Sequence, residues 1–359
     1  MRTKLVVALV AVATLAGCGG EDPEPAAEKP AAAAGTDLGA IKEYLLDHTA
    51  NLQDQSATLA ADAEAYHAAA EEAGFDYAKL LDERRDDVAG LVTKMQATFR
   101  EANPAYEEME GVVAGVPELA DFDVIIDAGG DKSDPENAVP FSIKTPAGKT
   151  FEQPGNFFFL LETSLWGTEP KFAAAGVKAD LDGDGKVSFG EAVPDADFLV
   201  AAAKDFATNA DELDAAAREW EPTAQDAFTA LVVMTPTMSE YFEAWKQSRF
   251  VAGAKSQESS FVAASRLQDI ADILSGLVLV YDQIEPSVAE ANDQQAKQTG
   301  RELQQLHDFA ARLRDEEAAG KTFTAREADT LGSEAQDRAE AIAGQVSQAA
   351  GQLGIELET

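Results

Sequence analysis

Apolar residues recur at steps of three, four and seven through most of the chain, the spacing that keeps one face of an α-helix dry. Ile41, Leu45, His48, Leu52, Leu59, Ala63 and Tyr66 form the first such stripe. Asp37 stands where an N-cap belongs, and Gly74 where a helix would stop. The spacing predicts a second helix from about Tyr77 through Phe99. A third segment, Ala105 to Val113, carries Tyr106, Met109 and Val113 on one side. His48 and His67 lie on or beside the first stripe, where core or interface roles are expected of them rather than metal ligation.

Between Pro117 and Pro154 the helical period lapses. The run Phe122-Asp123-Val124-Ile125-Ile126-Asp127, then Gly129-Gly130 and Pro135, reads as a long ordered connection with a short strand. Phe157 to Trp166 is densely apolar and follows Gly155-Asn156, so a buried helix is expected there. Helical patterns resume at about 196–209, 210–220, 222–250, 260–284, 287–318 and 325–351. Leu267, Ile270, Ile273, Leu274, Leu277 and Val280 make a stripe wide enough for a central helix, with Asp269 and Asp272 on its wet side. The last two helices are separated only by Lys321 to Thr324, and such short links imply antiparallel neighbours. The expected fold is all-α: two antiparallel helix bundles, over residues 37–170 and 196–359, joined by a long connection that includes 171–195.

Charge narrows the function. Lys and Arg number 28 against 65 Asp and Glu, a net −37. Such a field repels nucleic acid and anionic surfaces and gathers cations, so nucleic acid is excluded as a partner. The single cysteine, Cys18, leaves no intramolecular disulfide or cysteine zinc site. His48, His67 and His307 form no His-Glu-x-x-His motif, and there is no Gly-x-Ser-x-Gly elbow or phosphate-cradling loop. An enzyme is not expected.

The N-terminus changes the setting. Residues 1–17 read as a signal peptide: Arg2 and Lys4, then an apolar run from Leu5 to Leu15. It is too short to span a membrane as a helix. It ends in Leu15-Ala16-Gly17-Cys18, a bacterial lipobox pattern that makes Cys18 the expected lipidation site. Residues 18–36, rich in Glu, Pro and Ala, read as a flexible tether. The expectation is a lipoprotein of the bacterial cell envelope, anchored in the membrane and facing the periplasm or the exterior.

The strongest chemical signal lies at residues 180–191, which fit an EF-hand calcium loop. Asp180, Asp182 and Asp184 occupy positions 1, 3 and 5, Gly185 the sharp turn at 6, and Lys186 position 7, where a backbone carbonyl serves. Ser188 at position 9 and Glu191 at 12 complete the ligand set, with Val187 expected to pack inward. Four carboxylates without sulfur or imidazole suit a hard cation, so Ca²⁺ is the expected cofactor. The flanks are poor for a sensor. Lys171 to Ala179 contains Gly176 and lacks helical periodicity, and Pro194 follows soon after the loop. A lone loop of this kind predicts weak binding, on the order of 10⁻⁴–10⁻³ M, and a structural staple more than a switch.

Two further stretches carry a family likeness. Phe99-Arg100-Glu101-Ala102-Asn103-Pro104-Ala105-Tyr106-Glu107-Glu108-Met109-Glu110 resembles the imelysin-like helix Ala-Arg-x-x-Tyr-Glu-x-Ile-Glu. Phe159-Leu160-Leu161-Glu162-Thr163-Ser164-Leu165-Trp166-Gly167 resembles that family's His-x-x-Glu helix, which continues into Leu-Trp. Phe250 to Ala254 and Val280 to Pro286 match more loosely, in the same order. The resemblance, to a family that includes EfeO-type periplasmic iron-uptake proteins, covers roughly Asp37 to Gly351 and implies a pair of four-helix bundles. The family's metal-site histidine falls on Phe159, which ligates nothing. Two readings stay open. The site is rebuilt from Glu107, Glu110 and Glu162 as a carboxylate site for a hard ion, or it is lost, with Phe157, Phe158 and Phe159 filling the core. The aromatic cluster favours loss. A buried Glu162 would then need a partner, with Lys171 and Arg100 as candidates. The function expected is a lipid-anchored, calcium-binding, imelysin-like binding component. The alternative is an iron-uptake protein that delivers a cation to a permease partner.

Overall fold

The computed structural model describes residues 36–256 and 258–358. Asp37 caps the first helix through a 3.1 Å bond from the Ala40 N–H, and α1 runs Leu38–Glu72 until Gly74 takes φ 69°. Asp76 caps α2, Tyr77–Val113, in which the second and third expected helices are continuous across Pro104. The irregular backbone of α2 lies at Arg84, twenty residues before the proline.

The stretch expected as a strand at 122–127 is helical. It comprises α3, Ala120–Asp123, and a π turn, Val124–Ala128. Strands follow it instead, as a hairpin of β1, Ser142–Lys144, and β2, Thr150–Glu152, in which Ile143 faces Phe151. The buried helix α4, Phe157–Trp166, forms as expected between the cap Asn156 and the left-handed Gly167.

Downstream the elements are α5, Ala196–Glu219; α6, Ala224–Met234; α7, Met238–Gln247; α8, Arg249–Ala252; α9, Arg266–Ala318; and α10, Ala325–Leu353. Expected breaks near 209 and 285 are absent. The 53-residue α9 passes through Pro286 and is interrupted at Asn292, whose side chain accepts the Gln295 N–H at 3.1 Å and so caps the continuing helix. A break at Thr235–Thr237, a 3₁₀ turn containing Pro236, separates α6 from α7. Helices account for 72% of the described residues and strands for 4%, so the described chain is in essence all-α.

α1 packs along both α2 and α5. Thr49 donates to Asp214 at 2.8 Å and Tyr66 to the Pro194 carbonyl at 2.8 Å. The later half of α2 lies on α9, and α10 covers α7 and α9. The described residues all belong to one compact unit. α2 and α9 approach closely at Gly276, where a Cβ would stand 2.2 Å from the Glu108 carbonyl oxygen. Gly276→Ala must push the two helices apart. It is expected to lower stability by about 1–3 kcal/mol in denaturant unfolding, whereas an unchanged midpoint would mean that the crossing is not tight.

Candidate functional site

Residues three and four apart share a helix face, so Asn103, Glu107 and Glu110 point the same way from α2. Opposite them stand Arg266 and Asp269, from the first turn of α9, and Tyr241 of α7. The π turn supplies Asp127. Its i→i+5 bond, from the Gly129 N–H to the Val124 carbonyl, measures 3.0 Å. A Cβ on Gly129 would meet that carbonyl at 2.2 Å, so the turn closes only over glycine. Asn156 ties this turn to α4. Its Nδ2 donates to the Asp127 and Gly129 carbonyls, and its Oδ1 accepts the Phe159 N–H at 2.8 Å.

These elements enclose a cavity of about 740 Å³, lined by nine carboxyl side chains and one guanidinium, that of Arg266. Ligand oxygens of Glu107, Glu110 and Asp127 lie within 4.8 Å of one another. Glu107 Oε1 accepts from Asn103 at 2.9 Å and Glu110 Oε1 from the Tyr241 hydroxyl at 2.6 Å. The second oxygens, Glu107 Oε2 and Glu110 Oε2, are buried without a hydrogen-bond partner. Arg266 Nη1 is 3.0 Å from Asp269 and 3.5 Å from Glu107, and Nη2 is 3.5 Å from Asp127.

One arginine does not balance these acids. Burial, then Asp269, Asp127 and Glu110, pushes the Glu107 carboxyl well above its ordinary range. Burial and Asp127 raise Glu110, and burial and Glu110 raise Asp123, which accepts from the Tyr106 hydroxyl at 2.7 Å. Burial opposes the charge on Arg266, but Asp127, Glu107 and Asp269 outweigh it and hold the guanidinium protonated.

Glu162 shares the cavity and is bonded to a different element. Its carboxylate accepts the backbone N–H groups of Phe261, Val262 and Ala263 at 2.6–2.8 Å, fixing the loop ahead of α9. Burial raises its pKa to about 7 in spite of these bonds. Neither expected partner reaches it. Arg100 donates to the Ala263 carbonyl and lies over Trp166, while Lys171 is 3.6 Å from Asp131 and lies over Phe159 and Phe172. Phe157 and Phe158 are core residues, whereas Phe159, at the position of the family histidine, is half-buried on the cavity wall.

Asp127 and Arg266 went unseen in the sequence. The available signal for the first was Asp123 and Asp127 at an i,i+4 helical spacing inside a run that looked extended. Asp269 and Asp272, expected on a wet face, are buried. The helix partner of that face is α2, whose own acids sit opposite. His48 and His67 serve in packing: His48 Nε2 is 2.5 Å from Glu108 and His67 Nε2 2.9 Å from Asp197.

The 180–191 loop lies between a 3₁₀ turn, Pro170–Phe172, and α5, so helices do not flank it directly. Oxygens of Asp180, Asp182 and Asp184 come within 4.8 Å of one another. Glu191 faces into the loop and accepts the N–H groups of Leu181 at 2.8 Å, Asp182 at 3.1 Å and Ser188, which hold its carboxyl below the usual range. The Lys186 N–H donates to Asp184 at 2.7 Å. Val187, expected to pack inward, is 51% exposed, because no flanking helix offers it a core. Gln96 fastens the loop to α4 by donating to the Gly190 carbonyl at 2.7 Å and the Leu165 carbonyl at 2.9 Å.

A helical chain whose acidic cavity opens between α2, α4 and α9 fits the family likeness in those helices. Residues 40–347 match the family model for imelysin, also labelled peptidase M75. The chain belongs to the imelysin family. No curated protein matches it.

Proposed function

We propose that this imelysin-family protein is a binding component of the bacterial cell envelope that takes a hard metal cation into its acidic cavity, at Glu107, Glu110 and Asp127. One observation carries the reading: Glu107 Oε2 and Glu110 Oε2 are buried beside Asp127 without partners. Desolvated carboxylates crowded together are relieved by a proton or a metal ion, and all-oxygen donors favour hard cations. The site is thus displaced from positions 159 and 162, since Phe159 has no donor and Glu162 is committed to the 261–263 amides. With that histidine replaced, a binding role is preferred to peptide hydrolysis.

In this reading calcium at Asp180, Asp182, Asp184, the Lys186 carbonyl, Ser188 and Glu191 braces the connection beside α4. A lipid on Cys18, which lies outside the described residues, holds the protein at the membrane, and the helices act as two bundles that share α2. Delivery of iron to a permease is the alternative use of the same cavity, favoured by its oxygen-only donors.

Calorimetric titration with calcium, manganese and ferric citrate tests the proposal on wild type, Glu191→Ala and Glu107→Gln. Glu191→Ala is expected to lose one weak calcium site and keep the cavity site; Glu107→Gln is expected to do the reverse. Calcium uptake unaltered by Glu191→Ala would remove the loop from the account. A Glu191→Ala protein that takes up no cation would remove the cavity.

A further inference from the structure

The cavity already contains a positive charge, placed against local preference. Arg266 is the first residue of α9, where the helix dipole presents its positive end and disfavours a cation. It is 6% exposed. Its grip is loose for a buried arginine. Of its carboxylate contacts only that to Asp269, at 3.0 Å, is a hydrogen bond, and Nε has no partner. No bidentate fork of the kind that fixes structural Arg–carboxylate pairs is present. The guanidinium lies instead between ring faces, 4.5 Å from the Tyr241 centroid and 4.4 Å from that of Phe261.

We propose that Arg266 is the affinity- and charge-determining residue of the cavity, a built-in competitor that shares Glu107 and Asp127 with the bound metal ion. This rests on the cavity reading above. Arg266 approaches Glu107 through Oε1 and Asp127 through Oδ2, leaving Glu107 Oε2 and Glu110 Oε2 to an incoming ion. The ion is drawn in by the acids and repelled by the guanidinium. That repulsion grows with the ion's charge. Arg266 therefore keeps binding weak enough for release and narrows the advantage of trivalent over divalent ions. A monovalent ion gains least, because the guanidinium already supplies one positive charge.

The test uses the full-length chain in detergent, in the Glu191→Ala background to silence the calcium loop. Manganese and lanthanum are titrated at pH 8 into Arg266, R266Q and R266K proteins. R266Q is expected to bind manganese on the order of 10²-fold more tightly and lanthanum by a larger factor, while R266K stays within about tenfold of the parent because it keeps the charge. Equal or weaker binding by R266Q, a gain that does not grow with ion charge, or the same gain in R266K would overturn the proposal. Should R266Q not fold alone, refolding with lanthanum decides: recovery supports the competitor role and no recovery overturns it. A parent protein that binds neither ion would count against the cavity reading itself.

Discussion

Glu162→Ala is expected to lower the melting temperature by roughly 5–10 °C, the largest stability loss of any single substitution in the cavity wall. The carboxylate accepts three consecutive backbone N–H groups, from Phe261, Val262 and Ala263. Alanine leaves all three without an acceptor, and each buried donor left unsatisfied costs about 1–3 kcal/mol before water reaches it. Phe261 adds to the effect, because it holds a left-handed φ of 53° that this anchoring maintains. Glu162 also gives the protein a pH signature. Its folded pKa, about 7, lies above the ordinary 4.5. Its contribution to stability is therefore fully present below pH 4.5 and is lost as pH rises through 7. Glu162→Gln, which keeps one acceptor oxygen and cannot ionise, is expected to flatten the melting temperature over that interval. A Glu162→Ala protein that melts with wild type would show that the 261–263 loop needs no anchor.

Glu110→Gln is expected to act in opposite directions on stability and on binding. The metal-free protein should gain roughly 1–2 kcal/mol, because a desolvated carboxyl beside Asp127 becomes neutral. The amide keeps the bond from Tyr241 and can donate toward Glu107 Oε2, which has no partner at present. Cation affinity should fall by about 100-fold or more, since an ionised ligand has been replaced by an amide. Burial holds the Glu110 pKa above its ordinary value. The stability gain should thus be present at neutral pH and vanish below the ordinary carboxylate range, where wild type is protonated in both states. Paired melts and titrations at pH 4 and pH 7 check both parts. A gain of equal size at the two pH values would point to packing rather than charge.

What could be read from the sequence was local. Asp37, Asn156 and Gly167 act within one turn of the residues they cap, and they ended α1 and α4 where expected. The apolar stripe of α9 was visible for the same reason. Proline was a poor guide, since Pro104 and Pro286 lie inside helices, while Arg84 and Asn292 carry the irregular backbone. Glu107 and Glu110 were legible because helical spacing alone puts them on one face. Their third companion was not. Asp127 reaches them through a tertiary arrangement in which Asn156, from another helix, holds the π turn. Glu162 was legible too, but its three backbone partners were not, because the amides it accepts lie about a hundred residues downstream.

A π turn is a helical turn wound with one residue more than the α-helix requires. In the 124–128 turn that surplus residue sets the angle at which Asp127 leaves the backbone, and Gly129 permits the ring to close. The identity of the cavity's third acid thus depends on how many residues precede it as much as on its being an aspartate. Removing one residue there would leave every charge in the chain unchanged and still turn Asp127 by about 100°, the rotation per residue of an α-helix. In this fold the length of a short segment is itself a coordinate of the chemistry.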